Sequence, residues 1–259
     1  MARPSRVSRA LSQNFLADRA AAGQLARLAA PHGLPVPLLL EVGAGKGALT
    51  ELLAPRCRSL LAYEIDPRLV PVLRSRFADA PHVRVLGEDF LRARAPRTPF
   101  SVAGNVPFSR TAAVVAWCLR VPHLTDATLL TQLEYARRRT GDYGNWTRLT
   151  VLTWPRHEWR LAGRVGRRSF RPVPRVDAGI VRIERRRTPL LAPGADAGWR
   201  KLVELGFSGA GGSLHASLRR ARPRRRVDAA FRAAGLDRDV LVGEVPPWTW
   251  LRLHEVLGS

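Results

Sequence analysis

The chain has 259 residues, enough to bury a full hydrophobic core as one large domain or as one domain with a small second one. It has 43 Lys and Arg against 21 Asp and Glu, a formal net charge of +22, so we expect a polyanionic partner, with nucleic acid the default. Two cysteines without a Cys/His cluster exclude a disulfide scaffold and disfavour zinc, and no apolar run reaches the ~18 residues that a membrane span needs.

Helix and strand patterns then alternate along the first half of the chain. In chain order they are a helix "LADRAAAGQLARLAA" (16–30), a strand "PVPLLLEVGAG" (35–45), a helix "ALTELLAPRC" (48–57), a strand "SLLAYEID" (59–66), a helix "PRLVPVLRSRFA" (67–78), a strand "VRVLGEDF" (83–90), a strand "FSVAGNVPF" (100–108) and a helix "TAAVVAWCLRV" (111–121). This alternation predicts an α/β fold with a doubly wound parallel sheet and helices on both faces.

The second half of the chain begins with three more strand-like runs and ends with helical patterns only. The strand-like runs are "ATLLTQLEY" (127–135), "TRLTVLTWP" (147–155) and "GIVRIER" (179–185). After a linker that starts near Arg186, apolar residues recur at helical spacing in "WRKLVELGF" (199–207), "SLHASLRRARPRRR" (213–226), "VDAAFRAAGL" (227–236) and "PPWTWLRLHEVL" (246–257). We therefore predict a small helical domain at the C-terminal end.

The motif "EVGAGKGALT" is the first that carries chemistry. It places Gly43, Gly45 and Gly47 between a strand and a helix, where backbone can approach a ligand closely and a helix N-terminus favours negative charge. It is not a P-loop, because Lys46 is followed by glycine, and it misses the dinucleotide pattern G-x-G-x-x-G by one residue. A G-x-G-x-G turn is the form that methyltransferases use for S-adenosylmethionine.

Two carboxylates follow the next two strands. Glu64 stands 21 residues after Gly43, the place from which a carboxylate accepts both ribose hydroxyls of an adenosyl group. Asp89 ends the following strand and is suited to accept a hydrogen bond from an adenine amino group, although an Asp at this place is also a common turn former.

The motif "GNVPFSR" offers groups that recognise an adenine. The Asn105 amide oxygen and a nearby main-chain carbonyl can hold the two hydrogens of an exocyclic amine while the Phe108 ring stacks on the base. Holding both hydrogens favours a pyramidal nitrogen whose lone pair attacks a sulfonium methyl in line, so no strong general base is required. A structural turn is the alternative, and the preceding glycine and Glu64 motifs favour the adenine site.

Six motifs occur in the order found in the ribosomal RNA adenine N6-methyltransferases, and the chain resembles that family from about residue 8 to 185. They are "LSQNFLAD", "EVGAGKGALT", "YEID", "EDF", "GNVPFSR" and "SFRPVPRVDAGIVRI". The resemblance implies a Rossmann-like class I S-adenosylmethionine-dependent methyltransferase sheet in a catalytic domain of residues 1–185. A helical C-terminal domain of residues 186–259 follows, and we expect it to contribute to RNA binding. S-adenosyl-L-methionine is the implied cofactor, and no metal is implied.

Within this family the chain more closely resembles the Erm branch. That branch methylates one adenine in the peptidyl-transferase region of 23S rRNA and so confers resistance to macrolide, lincosamide and streptogramin B antibiotics. The sister branch, similar to KsgA, dimethylates adjacent adenines of small-subunit rRNA and is the alternative; "LSQNFL" and "NVPF" in place of its "GQNFL" and "NLPY" favour Erm. The implied enzyme is a cytoplasmic monomer, with no membrane association, that acts on 23S rRNA, protein-free or in assembling subunits.

The resemblance also assigns roles to individual residues. The catalytic set is Asn105, Pro107 and Phe108. The cofactor set is Gln13, Asn14, Leu16, Gly43, Gly45, Gly47, Glu64, Ile65, Asp89, Phe90 and Asn105. Phe108 and Phe170 are placed at the flipped target adenine. The chain departs from the family where Glu88 precedes Asp89 and where Phe108 replaces the more usual Tyr, and neither change removes a group that the chemistry needs.

RNA contacts follow less directly from the sequence. An adenine must leave its stack to be methylated, and phosphate contacts offset the cost of unstacking. The candidates are Arg137, Arg138, Arg139, Arg164, Arg167, Arg168, Arg219, Arg220, Arg222 and residues 224–226. Two other classes of protein stay open: a non-catalytic RNA-binding assembly factor, which would not bind S-adenosylmethionine, and a nicotinamide-dependent oxidoreductase, which the glycine spacing disfavours.

Overall fold

The computed structural model describes residues 14–31, 33, 35–209 and 211–257. In that part of the chain the strands are β1 (Phe15–Leu16), β2 (Leu39–Val42), β3 (Leu60–Tyr63), β4 (Val83–Leu86), β5 (Phe100–Asn105), β6 (Leu124–Gln132), β7 (His157–Val165), β8 (Phe170–Arg171) and β9 (Ala178–Arg185). The helices are α1 (Arg19–Ala29), α2 (Ala48–Leu53), α3 (Val70–Arg76), α4 (Thr111–Arg120), α5 (Leu133–Thr140), α6 (Arg148–Thr153), α7 (Asp196–Gly206), α8 (Leu214–Arg219), α9 (Arg224–Ala234) and α10 (Pro247–Leu257).

Seven of these strands form one sheet in the order β4-β3-β2-β5-β6-β9-β7, and β1 pairs with β8 in a separate antiparallel ribbon. The pairs among β2 to β6 are parallel, and β9 runs antiparallel to β6. The strand order reverses between β2 and β5, which is where open α/β sheets place their ligands. The predicted Rossmann-like α/β fold is therefore confirmed.

The buried sequence of β2 explains why the sheet forms here. All four of its residues are buried, as expected of a central parallel strand covered on both faces. Helix α1 packs beside the sheet through small apolar side chains, and Leu25 and Ala26 are fully buried. Asp18 fixes where this helix begins, because its carboxylate accepts hydrogen bonds from the main-chain nitrogens of Ala20 and Ala21.

The prediction of a strand over 147–155 is wrong, since residues 148–153 form α6. The β-branched residues of "TRLTVLT" favour a strand by propensity, but local capping and packing decide otherwise. Thr147 caps the helix through its side chain, the Thr150 hydroxyl donates to the carbonyl of Arg139, and Val151 is buried. The strand that completes the sheet is β7, which follows directly and which the sequence patterns did not single out.

The chain divides into two compact units. The first contains the described residues up to Ala136 together with Arg160–Arg185, and the second contains Arg137–Trp159 together with the described residues from Arg186 onward. Residues 137–159 lie with the second unit because Val151 packs into that unit's core. That core also contains Trp199, Leu202, Val203, Leu218, Phe231 and Trp250.

The segment after the linker is helical, as predicted. The run 213–226 is divided, however, because Pro223 lies between α8 and α9 and cannot continue a helix from the preceding turn. Across the described part of the chain, no helix combines the length and the apolar character that crossing a membrane requires.

Candidate active site

The four strand ends that carry the predicted site residues meet at one edge of the sheet. Val42 pairs with Tyr63 on one side and with Gly104 on the other, so the segments after β2, β3 and β5 leave the sheet side by side. Three adjoining cavities of about 390, 70 and 260 Å³ lie along this edge. Gly43 lines all three, so the three cavities share the first residue of the glycine turn.

The glycine turn needs glycine for its backbone and, at two positions, for space. Gly43, Gly45 and Gly47 have φ angles of 69°, 60° and 84°, in the left-handed region that side chains disfavour. A Cβ on Gly45 would also lie 3.2 Å from the ring of Phe15, which covers the turn. Gly47 serves packing instead of the cavities, because a Cβ there would lie 3.0 Å from Leu73.

Phe15 is a site residue that the sequence reasoning missed. Its ring lines the two cavities of about 390 and 70 Å³, and the Lys46 ammonium lies 5.3 Å from the ring centroid. The only signal was its place between Asn14 and Leu16, two residues that were assigned to the cofactor. Leu16 lines the 390 Å³ cavity, and Asn14 lines the 70 Å³ one.

Glu64 is buried beneath the glycine turn and supports it. Its Oε2 accepts a hydrogen bond from the Gly45 nitrogen at 2.7 Å, and its Oε1 accepts one from the Asp66 nitrogen at 2.8 Å. A carboxylate has about four acceptor positions, so two remain beyond these main-chain bonds. Glu64 and Ile65 line the 70 Å³ cavity beside Asn105, and the remaining acceptor positions suit a pair of hydroxyl groups.

Asp89 lies on the wall of the 260 Å³ cavity with Ile65 and Phe90. Its Oδ1 accepts a hydrogen bond from the Leu91 nitrogen at 3.0 Å, and its Oδ2 accepts one from the Arg110 side chain at 2.6 Å. A cavity that combines apolar side chains with a carboxylate is suited to a purine that presents an amino group.

Asn105 ends β5 with its side-chain amide held in one orientation. The amide nitrogen donates a hydrogen bond to the Asn14 carbonyl at 2.7 Å, which leaves the amide oxygen as an acceptor. Pro107 and the half-buried Phe108 follow, and all three residues line the 70 Å³ cavity. This places an acceptor and an aromatic ring next to the glycine turn, as the reaction predicted from sequence requires.

Glu41 is a second residue that the sequence reasoning missed. It is buried in β2 and belongs to the lining of the 390 Å³ cavity, and both of its carboxyl oxygens are shielded from solvent near the Thr50 hydroxyl. Burial, with a further contribution from the Glu64 charge, raises the pKa of Glu41 to about 7.

The structure does not bring every predicted residue to this site. Phe170 is fully buried in the hydrophobic core with Leu16 and Leu25, so its ring is unavailable to stack on a flipped adenine, and that assignment is corrected. Its burial follows from the pairing of β1 with β8, which places Leu16 opposite Phe170. Gln13 lies outside the described residues.

The predicted RNA contacts differ in their availability. The Arg137 side chain is bonded to Asp142 and stacks on Tyr143 with the guanidinium 3.7 Å from the ring centroid. The Arg139 side chain donates to the Thr147 hydroxyl at 2.7 Å. Arg137 and Arg139 are therefore engaged within the second unit, because both stabilise the turn between α5 and α6. Exposed side chains among the other candidates include those of Arg138, Arg164, Arg167 and Arg168.

Comparisons with known proteins show the family to which the chain is similar. The family model described as ribosomal RNA adenine dimethylase matches residues 5–258. An rRNA adenine N-6-methyltransferase of Streptomyces fradiae is 62% identical over 97% of this chain and 79% of its own length. The mycinamicin-resistance protein MyrB of Micromonospora griseorubida is 38% identical over 95% of this chain and 78% of its own length. Among solved structures, the 23S rRNA methyltransferase ErmE is 47% identical with a TM-score of 0.91, covering 95% of this chain and all of that one.

Proposed function

The chain belongs to the ribosomal RNA adenine dimethylase family, and we propose that it methylates the N6 amino group of one adenine in 23S rRNA. It is an rRNA adenine-N6-methyltransferase, and S-adenosyl-L-methionine is its methyl donor. The choice of 23S rRNA rests on the likeness to a 23S rRNA methyltransferase over nearly the whole chain. The single observation that carries the chemistry is the Asn105 amide, held by Asn14 with its oxygen available beside the glycine turn.

The residues present fit the methyl donor. At Gly43 and Gly45 the turn presents backbone without a Cβ to the cavities, and Glu64 retains acceptor positions for the two ribose hydroxyls. Ile65, Asp89 and Phe90 would hold the adenine. The methionine end would lie towards Phe15 and Asn14, beside the glycine turn.

The chain's own groups would prepare the target base. The amide oxygen of Asn105 accepts a hydrogen from the target amine, and the Phe108 ring stacks on the purine. This orients the nitrogen lone pair towards the cavity that the glycine turn lines, which supplies the proximity that the reaction needs. When bound, S-adenosyl-L-methionine supplies a sulfonium methyl group whose carbon–sulfur bond breaks as the bond to N6 forms. The N6 nitrogen then gives one proton to solvent.

Methylation of 23S rRNA would protect the ribosome from drugs that bind the peptidyl-transferase region. A relative that covers most of this chain is named for resistance to mycinamicin. We therefore propose that the protein confers resistance to macrolide, lincosamide and streptogramin B antibiotics. We further propose that it acts in the cytoplasm as a monomer, on RNA that is protein-free or in assembling subunits, and that the 186–259 region contributes to RNA binding.

The test separates this function from that of the sister branch. Purified protein is incubated with labelled S-adenosyl-L-methionine and, separately, with protein-free 23S or 16S rRNA, and methylated adenines are located by primer extension. One labelled adenine in 23S rRNA, absent with Asn105→Ala, is the expected result. Label in 16S rRNA alone would assign the protein to the small-subunit branch, and label in neither RNA would overturn the proposed reaction.

A further inference from the structure

Arg110 links the 260 Å³ cavity, whose residues Ile65, Asp89 and Phe90 the proposed function assigns to the cofactor adenine, to the turn that carries Phe108. Its side chain donates to Asp89 Oδ2 at 2.6 Å, and its main-chain nitrogen donates to the Pro107 carbonyl at 2.8 Å. Asp89 and Arg110 line the 260 Å³ cavity, and Pro107 lines that cavity and the 70 Å³ one. Arg110 therefore connects the carboxylate of Asp89, in the cavity assigned to adenine, to the turn that carries Phe108.

The position of Arg110 is unfavourable for the helix that it begins. It is the N-cap residue of α4, where Ser, Thr, Asp or Asn is preferred, and it makes no side-chain cap. A cation at a helix N-terminus also opposes the helix dipole, and α4 has no acidic residue in its first turn. The ion pair with Asp89 is half-exposed and screened by solvent, so fold stability is a weak reason for an arginine here.

Asp89 is oriented from both sides by this arrangement. The Leu91 nitrogen holds one carboxylate oxygen and Arg110 holds the other. Each oxygen keeps a second acceptor position, so an adenine amino group can bind without displacing either partner. Binding there would cover the ion pair and reduce the water around it, which strengthens the attraction between the two charges.

We propose that Arg110 is a positioning residue that couples occupation of the adenine cavity to the placement of the turn from Pro107 to Arg110. This inference rests on the proposed function. With the adenine bound, the strengthened pair holds the turn, and Phe108 is ordered before the target base arrives. Ordering the turn then costs less when RNA binds. Because such coupling is reciprocal, cofactor and RNA each raise the affinity of the other.

The test measures that coupling directly. Dissociation constants of protein-free 23S rRNA are determined with and without saturating S-adenosyl-L-homocysteine for the wild type, Arg110→Ala and Arg110→Lys. Arg120→Ala is the matched control, since Arg120 is exposed at the other end of the same helix. In the wild type and in Arg120→Ala we expect S-adenosyl-L-homocysteine to tighten RNA binding about five-fold or more. In Arg110→Ala the factor by which S-adenosyl-L-homocysteine tightens RNA binding falls towards one. In Arg110→Lys this factor lies between those of the wild type and Arg110→Ala, because lysine keeps the charge without the planar guanidinium.

A double-mutant cycle for S-adenosyl-L-homocysteine affinity adds a second readout. If Arg110 acts through Asp89, then Asp89→Asn with Arg110→Ala binds no more weakly than Asp89→Asn alone. An unchanged coupling factor in Arg110→Ala, additive losses in the cycle, or the absence of coupling in the wild type would each overturn the proposal. Failure of the proposed function is distinguishable, because the wild type would then leave 23S rRNA unmethylated.

Discussion

The side-chain amide of Asn105 donates a hydrogen bond to the main-chain carbonyl of Asn14 across 2.7 Å, and these residues are 91 positions apart in the chain. This bond decides which end of the amide is available to a substrate. The nitrogen is used by the protein, and the oxygen remains for the amine of an adenine. Asn14, in the N-terminal segment, thereby fixes the orientation of the Asn105 amide at the end of a central strand.

Asn105→Asp should therefore lower the rate of methyl transfer strongly, although aspartate and asparagine have nearly the same size. Aspartate keeps the acceptor but cannot donate to Asn14, and its second oxygen would face the Asn14 carbonyl. We expect methyl transfer to 23S rRNA to fall by about 100-fold or more, in line with the loss of an oriented catalytic group. Single-turnover kinetics at saturating cofactor measure this loss. Asp and Ala variants with near wild-type turnover would contradict the assigned role.

Gly45→Ala should weaken cofactor binding through both backbone strain and a contact with Phe15. Its φ is 60°, and the new Cβ would lie 3.2 Å from the ring. We expect about a ten-fold loss of S-adenosyl-L-homocysteine affinity, measured by calorimetry, because an αL residue with a side chain costs roughly 1 kcal/mol before the contact is counted.

Gly235→Ala is the matched control for that substitution. Gly235 has a φ of 64° at the end of α9, and nothing lies within 4 Å of its Cβ position. It should lower the melting temperature slightly and leave cofactor affinity unchanged. If Gly235→Ala loses as much S-adenosyl-L-homocysteine affinity as Gly45→Ala, backbone strain alone explains the effect at Gly45. The Phe15 contact and the position of the turn in the site would then have no role in that effect.

Glu41→Gln should make the unliganded protein more stable than the wild type at high pH. Burial raises the folded-state pKa of Glu41 to about 7 from its ordinary value of 4.5, so folding favours the neutral carboxyl. The stability contributed by this group is full below the unfolded pKa and is lost as the pH rises through about 7. Glutamine avoids that loss, which is on the order of 3 kcal/mol at pH 8.

Chemical denaturation at several pH values tests this expectation. The difference between Glu41→Gln and the wild type should grow from about pH 4.5 to 7 and then level off. Glu204→Gln, at an exposed position of α7, should show no such trend. A constant difference across this pH range would mean that Glu41 titrates normally in the folded protein.

Phe170→Leu should affect stability much more than catalysis. The ring is fully buried in the core and does not line the described cavities at the strand ends. Replacing it by leucine leaves a partly filled space, and we expect a cost of about 1–3 kcal/mol in the free energy of unfolding. Turnover of 23S rRNA should stay within a few-fold of the wild type when measured well below the melting temperature. A 100-fold loss of turnover with unchanged stability would instead support contact with the target base.

Much of the site was predictable from the sequence because it depends on local rules. Glycines after a buried strand, Glu64 after the next and Asn105 after another are adjacent in space once the strands are parallel, since their carboxyl ends meet at one edge. The helical character of the C-terminal segment was visible for a similar reason, because apolar spacing depends only on near neighbours in the chain.

Other features depended on contacts between residues distant in the chain, which periodicity does not contain. The segment 147–155 has strand propensity but folds as a helix, because Thr150 bonds to Arg139 and Val151 reaches the second core. Phe170 lies within a family motif but is buried in the core, because β8 pairs with β1.

The sequence by itself determined the class of the fold, the order of the ligand-binding turns and the chemical groups they carry. The tertiary structure alone decided how those groups are oriented. The Asn105 amide is turned by Asn14, Asp89 is held by Arg110, and Phe15 covers Gly45. The physical reason is that residue type and spacing specify which donors and acceptors exist, whereas the partner that each one binds depends on the packing of the whole sheet.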